Sequence, residues 1–330
     1  MFEKTTDVVG IGNAIVDVIA RTDDAFLEAQ GIPKGAMTLI DDAQANALYA
    51  AMGPAIESSG GSAANTIAGL AALGSKTGYV GLVSHDSLGN IFRHDINALG
   101  VQFDTAAATD GSATARCLIL VTPDAQRSMN TFLGACVGLG PEHVAEDQIA
   151  AAKVVYLEGY LWDPPRAKEA FLKAAGIAQE TGGKVALSLS DVFCVGRHRD
   201  SFLDLVRHKV DLLFANEDEL KALFETDDFE TAIAAARQVT PMAAITRGAD
   251  GAVILANDQI LTVPVGTVGA IVDTTGAGDL FAAGFLHGYC RGQDAARCGQ
   301  IGNSVAGEII SHYGARPEAD LQVLIGSLAT

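Results

Sequence analysis

Short apolar runs alternate with longer amphipathic stretches along most of the chain. Val154-Val155-Tyr156-Leu157 precedes a helix-like stretch at 166–179, and Lys184-Val185-Ala186-Leu187 precedes one running to Arg207. Val210-Asp211-Leu212-Leu213-Phe214 precedes another at 217–224. Met242-Ala243-Ala244-Ile245-Thr246 reads as a further buried strand, and Val8-Val9-Gly10-Ile11-Gly12 as the first. Strands apolar at successive positions are covered on both faces, so the pattern predicts a doubly wound, mostly parallel α/β sheet flanked by helices.

Two stretches, 14–40 and 101–132, break that rhythm with polar alternation and turn residues. Residues 112–121 form one strand-like run, Thr122-Pro123-Asp124 turns, and the chain returns through Arg127 to Phe132, a predicted hairpin. These stretches are expected to build a small β-sheet lid on one unit spanning residues 1–330, since active-site covers are commonly made this way. No internal repeat, low-complexity tract or long linker divides the chain.

The charge removes one class of partner. Lys and Arg total 22 against 40 Asp and Glu, a net charge of −18, and no basic cluster stands out, which argues against nucleic acid. Apolar residues make up 49%, yet no uninterrupted run approaches the roughly 18 residues that cross a bilayer, so no membrane partner is expected. The opening lacks a basic segment followed by an apolar one and a cleavage site, which predicts a cytoplasmic protein. Five cysteines without a C-x-x-C pair and seven histidines without H-x-x-x-H spacing point to neither a disulfide framework nor a zinc site.

Two glycine patterns fail on inspection. Gly10-Ile11-Gly12-Asn13-Ala14-Ile15 lacks the third glycine of a dinucleotide fingerprint, and Ser75 separates Gly74 from Lys76 where a phosphate-binding loop needs them adjacent. The segment Asp273-Thr274-Thr275-Gly276-Ala277-Gly278-Asp279 is different. Small residues ahead of an apolar helix let backbone amides converge on an anion, and Asp279 beside them suits a group that takes a proton from an attacking hydroxyl.

With Gly60-Gly61-Ser62-Ala63-Ala64-Asn65, this segment resembles the two signatures of the PfkB (ribokinase-like) carbohydrate and nucleoside kinases. The resemblance runs over nearly the whole chain, through Gly12-Asn13 and Asp17, Asn216-Glu217-Asp218-Glu219 and Thr246-Arg247-Gly248-Ala249-Asp250-Gly251, in the family's order. It implies an ATP-dependent phosphotransferase with Asp279 as general base and Gly276, Ala277 and Gly278 as the anion hole. Asn216 and Glu219 match an N-x-x-E motif that organises Mg²⁺ and phosphate through water, although Asn216 would equally cap a helix. Thr246, Gly248 and Gly251 match the nucleotide side, Thr275 lies beside the phosphates, and Asn303 falls where a late helix closes the adenine pocket. Asp273 matches a monovalent-cation loop, which leaves K⁺ open. Arg127 matches the lid arginine that swings onto the transferring phosphate.

Asn13, Asp17, Gly60, Gly61, Ser62 and Asn65 fall at the acceptor positions and suit sugar hydroxyls. Closer similarity to adenosine kinases, seen in 12–18, 124–130, 158–160 and 187–193, implies a nucleoside, phosphorylated at its 5′-hydroxyl in purine salvage. Met37, Leu39, Tyr160 and Phe193 would then enclose the base. A free-sugar kinase for ribose or fructose and a catalytically idle sensor remain alternatives, as do monomer and homodimer. The acidic excess is expected to lie away from a locally positive cleft.

Overall fold

Successive strand residues face opposite sides of a sheet, so a fully apolar strand must divide its side chains between two cores. The computed structural model, which describes residues 3–266 and 269–328, resolves this division. Among those residues an eight-stranded sheet runs in the order β13-β12-β11-β10-β9-β8-β1-β5. It is built from β1 (Thr6–Ile11), β5 (Thr77–Val80), β8 (Ala152–Glu158), β9 (Lys184–Ser188), β10 (Leu212–Asn216), β11 (Met242–Thr246), β12 (Ala252–Ala256) and β13 (Gln259–Val263). Val154, Tyr156, Leu212 and Phe214 enter one core; Val155, Leu157, Leu213 and Ala215 enter the other. All pairings are parallel except β11–β12 and β12–β13. The chain is an α/β protein with a doubly wound, mostly parallel sheet.

Helices Ser62–Ala72, Ala277–Cys290 and Ala295–Ile309 cover one face; Pro165–Glu180, Val192–Lys209, Glu217–Phe224 and Phe229–Ala236 cover the other. The first strand pairs with β5 on one side and β8 on the other. The chain therefore reverses its direction of growth at β1. Ligands in such sheets bind beyond the carboxyl ends of the strands at that switch point, and here those ends present Asn13 and Glu158.

A second sheet, in the order β3-β7-β6-β2-β4, uses β2 (Ile15–Arg21), β3 (Met37–Leu39), β4 (Ala55–Gly60), β6 (Ala115–Val121) and β7 (Arg127–Phe132). The β6–β7 hairpin forms as the turn residues predict, with Val121 opposite Arg127. Strand β4 lies outside both expected stretches, and residues 101–114 contribute isolated bridges at Gln102 and Ala108 instead of a strand. Among the described residues no helix is long and apolar enough to cross a membrane.

Candidate active site

Gly69 brings the two central helices together. A side chain there would meet Leu280 Cδ1 at 2.6 Å and Ala283 Cβ at 2.9 Å, so its absence lets helix Ser62–Ala72 lie directly on helix Ala277–Cys290. Residues three apart share a helix face, and Ser62 and Asn65 both reach the first turn of the neighbouring helix. Ser62 Oγ donates to Asp279 Oδ1 at 2.6 Å, and Asn65 Nδ2 donates to Asp279 Oδ2 at 2.9 Å. Burial lifts the Asp279 carboxyl to about 6, against the lowering by these two bonds and by the charge of Arg316. A carboxylate held by one donor on each oxygen, with its affinity for a proton raised, suits a general base near neutral pH.

The paired glycines ahead of Ser62 are required sterically. Gly61 adopts φ +98°, and a Cβ there would overlap the Asn13 carbonyl oxygen, while one on Gly60 would overlap the Asp17 carboxylate. Asp17, on β2, is pushed up to about 6, first by burial and then by Asp279, with Arg316 and Arg127 opposing.

Glu158 ends β8 with 1% exposure. Asn13 Nδ2 donates to its Oε1 at 2.6 Å, and the Ala63 amide donates to its Oε2 at 2.8 Å. Burial pushes this carboxyl up to about 7 despite those donors. It holds Asn13 and the start of the Ser62 helix at once, a role that a lone acidic residue at a strand end does not announce in sequence. Glu158→Gln sets an amide donor against the Asn13 amide or the Ala63 N–H. The expected result is a loss of about 1–3 kcal/mol of stability, the scale of one unsatisfied buried donor, read as a lowered Tm by differential scanning fluorimetry.

Gly276 caps the Asp279 helix in the left-handed region at φ +78°, where a Cβ would meet Ala315 Cβ at 2.8 Å. The Ala277 amide is engaged by the Thr274 carbonyl at 3.2 Å. Among the described residues the amides of Gly276 and Gly278 have no acceptor, and open space lies beside Gly278. Of the three amides expected to face an anion, two are thus without an acceptor and one is engaged within the turn. Asp273 accepts from the Thr275 amide at 3.0 Å, the Thr275 hydroxyl at 2.8 Å and the Gly314 amide at 3.1 Å, and pairs with Arg127 of β7. Burial works to raise the Asp273 carboxyl, but these donors and the Arg127 charge hold it below the ordinary range. With its carboxylate filled by three hydrogen bonds and a guanidinium, Asp273 does not fit a monovalent cation. Arg127 Nε is buried and unpartnered, a donor left for an incoming acceptor.

At the carboxyl end of β10 the Asn216–Glu219 pair forms a reciprocal capping box. The Asn216 amide and Nδ2 donate to Glu219 at 2.9 and 2.7 Å, and the Glu219 amide donates to Asn216 Oδ1 at 2.8 Å. Burial raises the Glu219 carboxyl to about 7. Both carboxylate oxygens are occupied, so the pair fits Mg²⁺ through its water shell and not by direct ligation. Thr246 ends β11. Gly248 follows at φ +55° with open space beside it, whereas Gly251, at φ +83°, is forced by the Val263 carbonyl. Asn303 Nδ2 donates to the Val263 and Pro264 carbonyls, both at 3.0 Å; its amide holds the chain after β13.

Met37 and Leu39 stand 50% and 59% exposed on the second sheet, Tyr160 stands 40% exposed in the short helical turn Gly159–Trp162 after β8, and Phe193 stands 78% exposed in the first turn of helix Val192–Lys209. The Tyr160 hydroxyl is pushed up by burial and then by Asp191, Asp279, Glu219 and Glu158, which sets it beside the acidic centre. Around Asp279 the acidic groups Asp17, Glu158 and Glu219 are opposed by the guanidinium of Arg316. Arg316, in the loop after helix Ala295–Ile309, hydrogen-bonds Asn65 Oδ1 and Ser59. Nothing in its sequence neighbourhood marks it for the site.

A family model described as pfkB family carbohydrate kinase matches residues 55–321. The crystal structure of adenosine kinase from Sinorhizobium meliloti superposes with TM-score 0.89 at 52% identity, covering 96% of this chain and 98% of that one. A probable sugar kinase protein from Rhizobium etli CFN 42 superposes with TM-score 0.90 at 51% identity over 98% of both chains. An ATP-dependent ribose-1-phosphate kinase from Halopiger xanaduensis is 32% identical over 273 residues, 80% of this chain and 85% of the relative.

Proposed function

The chain belongs to the pfkB family of carbohydrate kinases, and from that premise we propose that it is an ATP-dependent nucleoside kinase acting on adenosine. Asp279 takes the proton of the 5′-hydroxyl as O5′ attacks the γ-phosphorus; the new O–P bond forms while the bond to the β-phosphate oxygen breaks, giving AMP and ADP. The amides of Gly276 and Gly278 and the free Nε of Arg127 supply donors for charge on the transferring group. Asn216 and Glu219 would hold a hydrated Mg²⁺, which when bound would supply neutralising charge at the phosphates.

The second sheet acts as a lid. Its Arg127 pairs with Asp273 of the anion loop, and closing it keeps out water that would otherwise accept the phosphoryl group. The observation that carries the kinase reading is the Ser62–Asp279–Asn65 geometry at the mouth of a glycine-capped helix. The nucleoside reading is supported by the exposed apolar side chains of Met37, Leu39, Tyr160 and Phe193 on the two bodies, and by similarity to an adenosine kinase structure at 52% identity.

ADP release with ATP and Mg²⁺, run side by side on adenosine, guanosine, cytidine, ribose and fructose, tests this reading. Turnover on adenosine is expected to exceed that on the free sugars by about 100-fold or more, since an apolar slot discriminates by burying the base. Turnover confined to ribose or fructose would replace the nucleoside with a sugar while leaving Asp279 in place.

A further inference from the structure

Arg316 is a buried guanidinium outside every motif of the site, and its partners lie more than 250 residues away in sequence. Its Nη1 donates to Asn65 Oδ1, and its Nη2 donates to the Ser59 carbonyl and, at 3.0 Å, to Ser59 Oγ. Ser59 is held in turn by Asp95, whose Oδ2 accepts its amide at 2.7 Å and its hydroxyl at 2.6 Å. The loop that delivers Arg316 is pinned on both sides: the Gly314 amide donates to Asp273, and the amides of Glu318 and Ala319 donate to Glu308 Oε1 at 3.0 and 2.9 Å. A buried arginine so fixed is costly to desolvate, and the Ser59 contacts alone would have anchored the loop.

We propose that Arg316 is a positioning residue that sets the direction of the Asn65 amide and thereby keeps a donor, not an acceptor, against the base Asp279. A guanidinium has five donors and no acceptor. Whatever Asn65 turns toward Arg316 must be its carbonyl oxygen, so the NH₂ group faces Asp279, where Nδ2 lies 2.9 Å from Oδ2. An amide in this direction stabilises the ionised carboxylate. Reversed, it would place a carbonyl oxygen against Asp279 and favour the protonated acid, which cannot accept the hydroxyl proton. The Arg316 charge acts in the same sense on Asp279. Other groups near Asp279 are Ser62 and Asn65 from one helix, Asp17 of β2, Tyr156 and Glu158 of β8, Tyr160 and Glu219. None of these is a cation, and Arg316 is the cation that touches Asn65.

The inference rests on Asp279 being the base, so the test includes a readout that needs no turnover. In Arg316→Met, kcat is expected to fall roughly 10- to 100-fold with ATP KM within twofold, and the acid limb of the kcat–pH profile to move to higher pH. The double variant with Asn65→Ala should be no slower than Asn65→Ala alone, because one pathway has been cut twice. Arg316→Lys, which keeps the charge and three donors but not the planar fork, should restore most of the pH limb and part of kcat; it carries the same cycle if Arg316→Met does not fold. Independently, ¹³C NMR titration of the Asp279 carboxyl should show a higher midpoint in the Arg316 variant than in wild type. Additive losses with an unmoved acid limb and midpoint would overturn the inference. A shifted midpoint together with full activity of Asp279→Asn would sustain the role of Arg316 and reject Asp279 as the base.

Discussion

Asp279→Asn lowers kcat by about 10²–10⁴-fold, the span contributed by a positioned general base, while leaving the fold and ATP KM near wild type. The asparagine is isosteric and keeps an oxygen for the Ser62 hydroxyl, which bonds Asp279 at 2.6 Å, but it sets an NH₂ against Asn65 Nδ2, so a modest loss of stability accompanies the loss of rate. What disappears is the group that accepts the hydroxyl proton. The pH profile supplies the sign. A base must be ionised to act, and burial sets the Asp279 carboxyl at about 6; wild-type kcat therefore falls tenfold per pH unit as pH drops below that value and levels off above it. Asp279→Asn should lose this limb along with the rate. Stopped assays of ADP release across pH 5–9, with circular dichroism on the same samples, check both statements. A variant that turned over at the wild-type rate would remove Asp279 from the chemistry.

Gly61→Ala is expected to be nearly as damaging to rate and far worse for stability. Its φ of +98° with ψ of 144° is territory that side chains rarely enter, and the new methyl would overlap the backbone oxygen of Asn13. That oxygen cannot retreat easily, because the Asn13 side chain is tied to Glu158 at 2.6 Å and Gly60 is paired with Ile15 across the β2–β4 edge. Relief must come from the helix beginning at Ser62, whose movement withdraws both Ser62 and Asn65 from Asp279. A loss of about 3 kcal/mol is the expected scale for backbone strain plus overpacking, read as a fall of several degrees in Tm, with kcat reduced about 100-fold by misplacement of the base. Differential scanning fluorimetry and ADP-release kinetics measure the two effects. An unchanged Tm would mean that the turn before Ser62 is more pliable than its geometry implies.

The difference between what could be read along the chain and what could not has a physical pattern. Strand β11 and helix Glu217–Phe224 match the sequence boundaries because each is an apolar or amphipathic block ended by polar or turn residues. The hairpin of β6 and β7 was legible from its turn. Strand β4 was not: Ala-Ile-Glu-Ser-Ser-Gly has little β-propensity, and its extended form comes from pairing with β2 at a sheet edge. The motif residues Ser62, Asn65 and Asp279 come together, but the reason is Gly69, which looks like any helical glycine until its neighbour is known. Glu158 and Arg316 carry no local pattern, since a buried ion's partners are set by tertiary contacts. The pairing of Arg127 with Asp273 joins segments 146 residues apart, and it fills the carboxylate that the family pattern had reserved for a cation.

Identification of the product formed from adenosine and ATP tests the account most directly. Phosphorus–proton correlation NMR on the reaction mixture is expected to show the new phosphate coupled to the 5′-methylene protons of adenosine, appearing with wild-type protein and at least 100-fold more slowly with Asp279→Asn. Adenosine left unphosphorylated by folded wild-type protein that phosphorylates a free sugar, or a product phosphorylated at another hydroxyl, would contradict it.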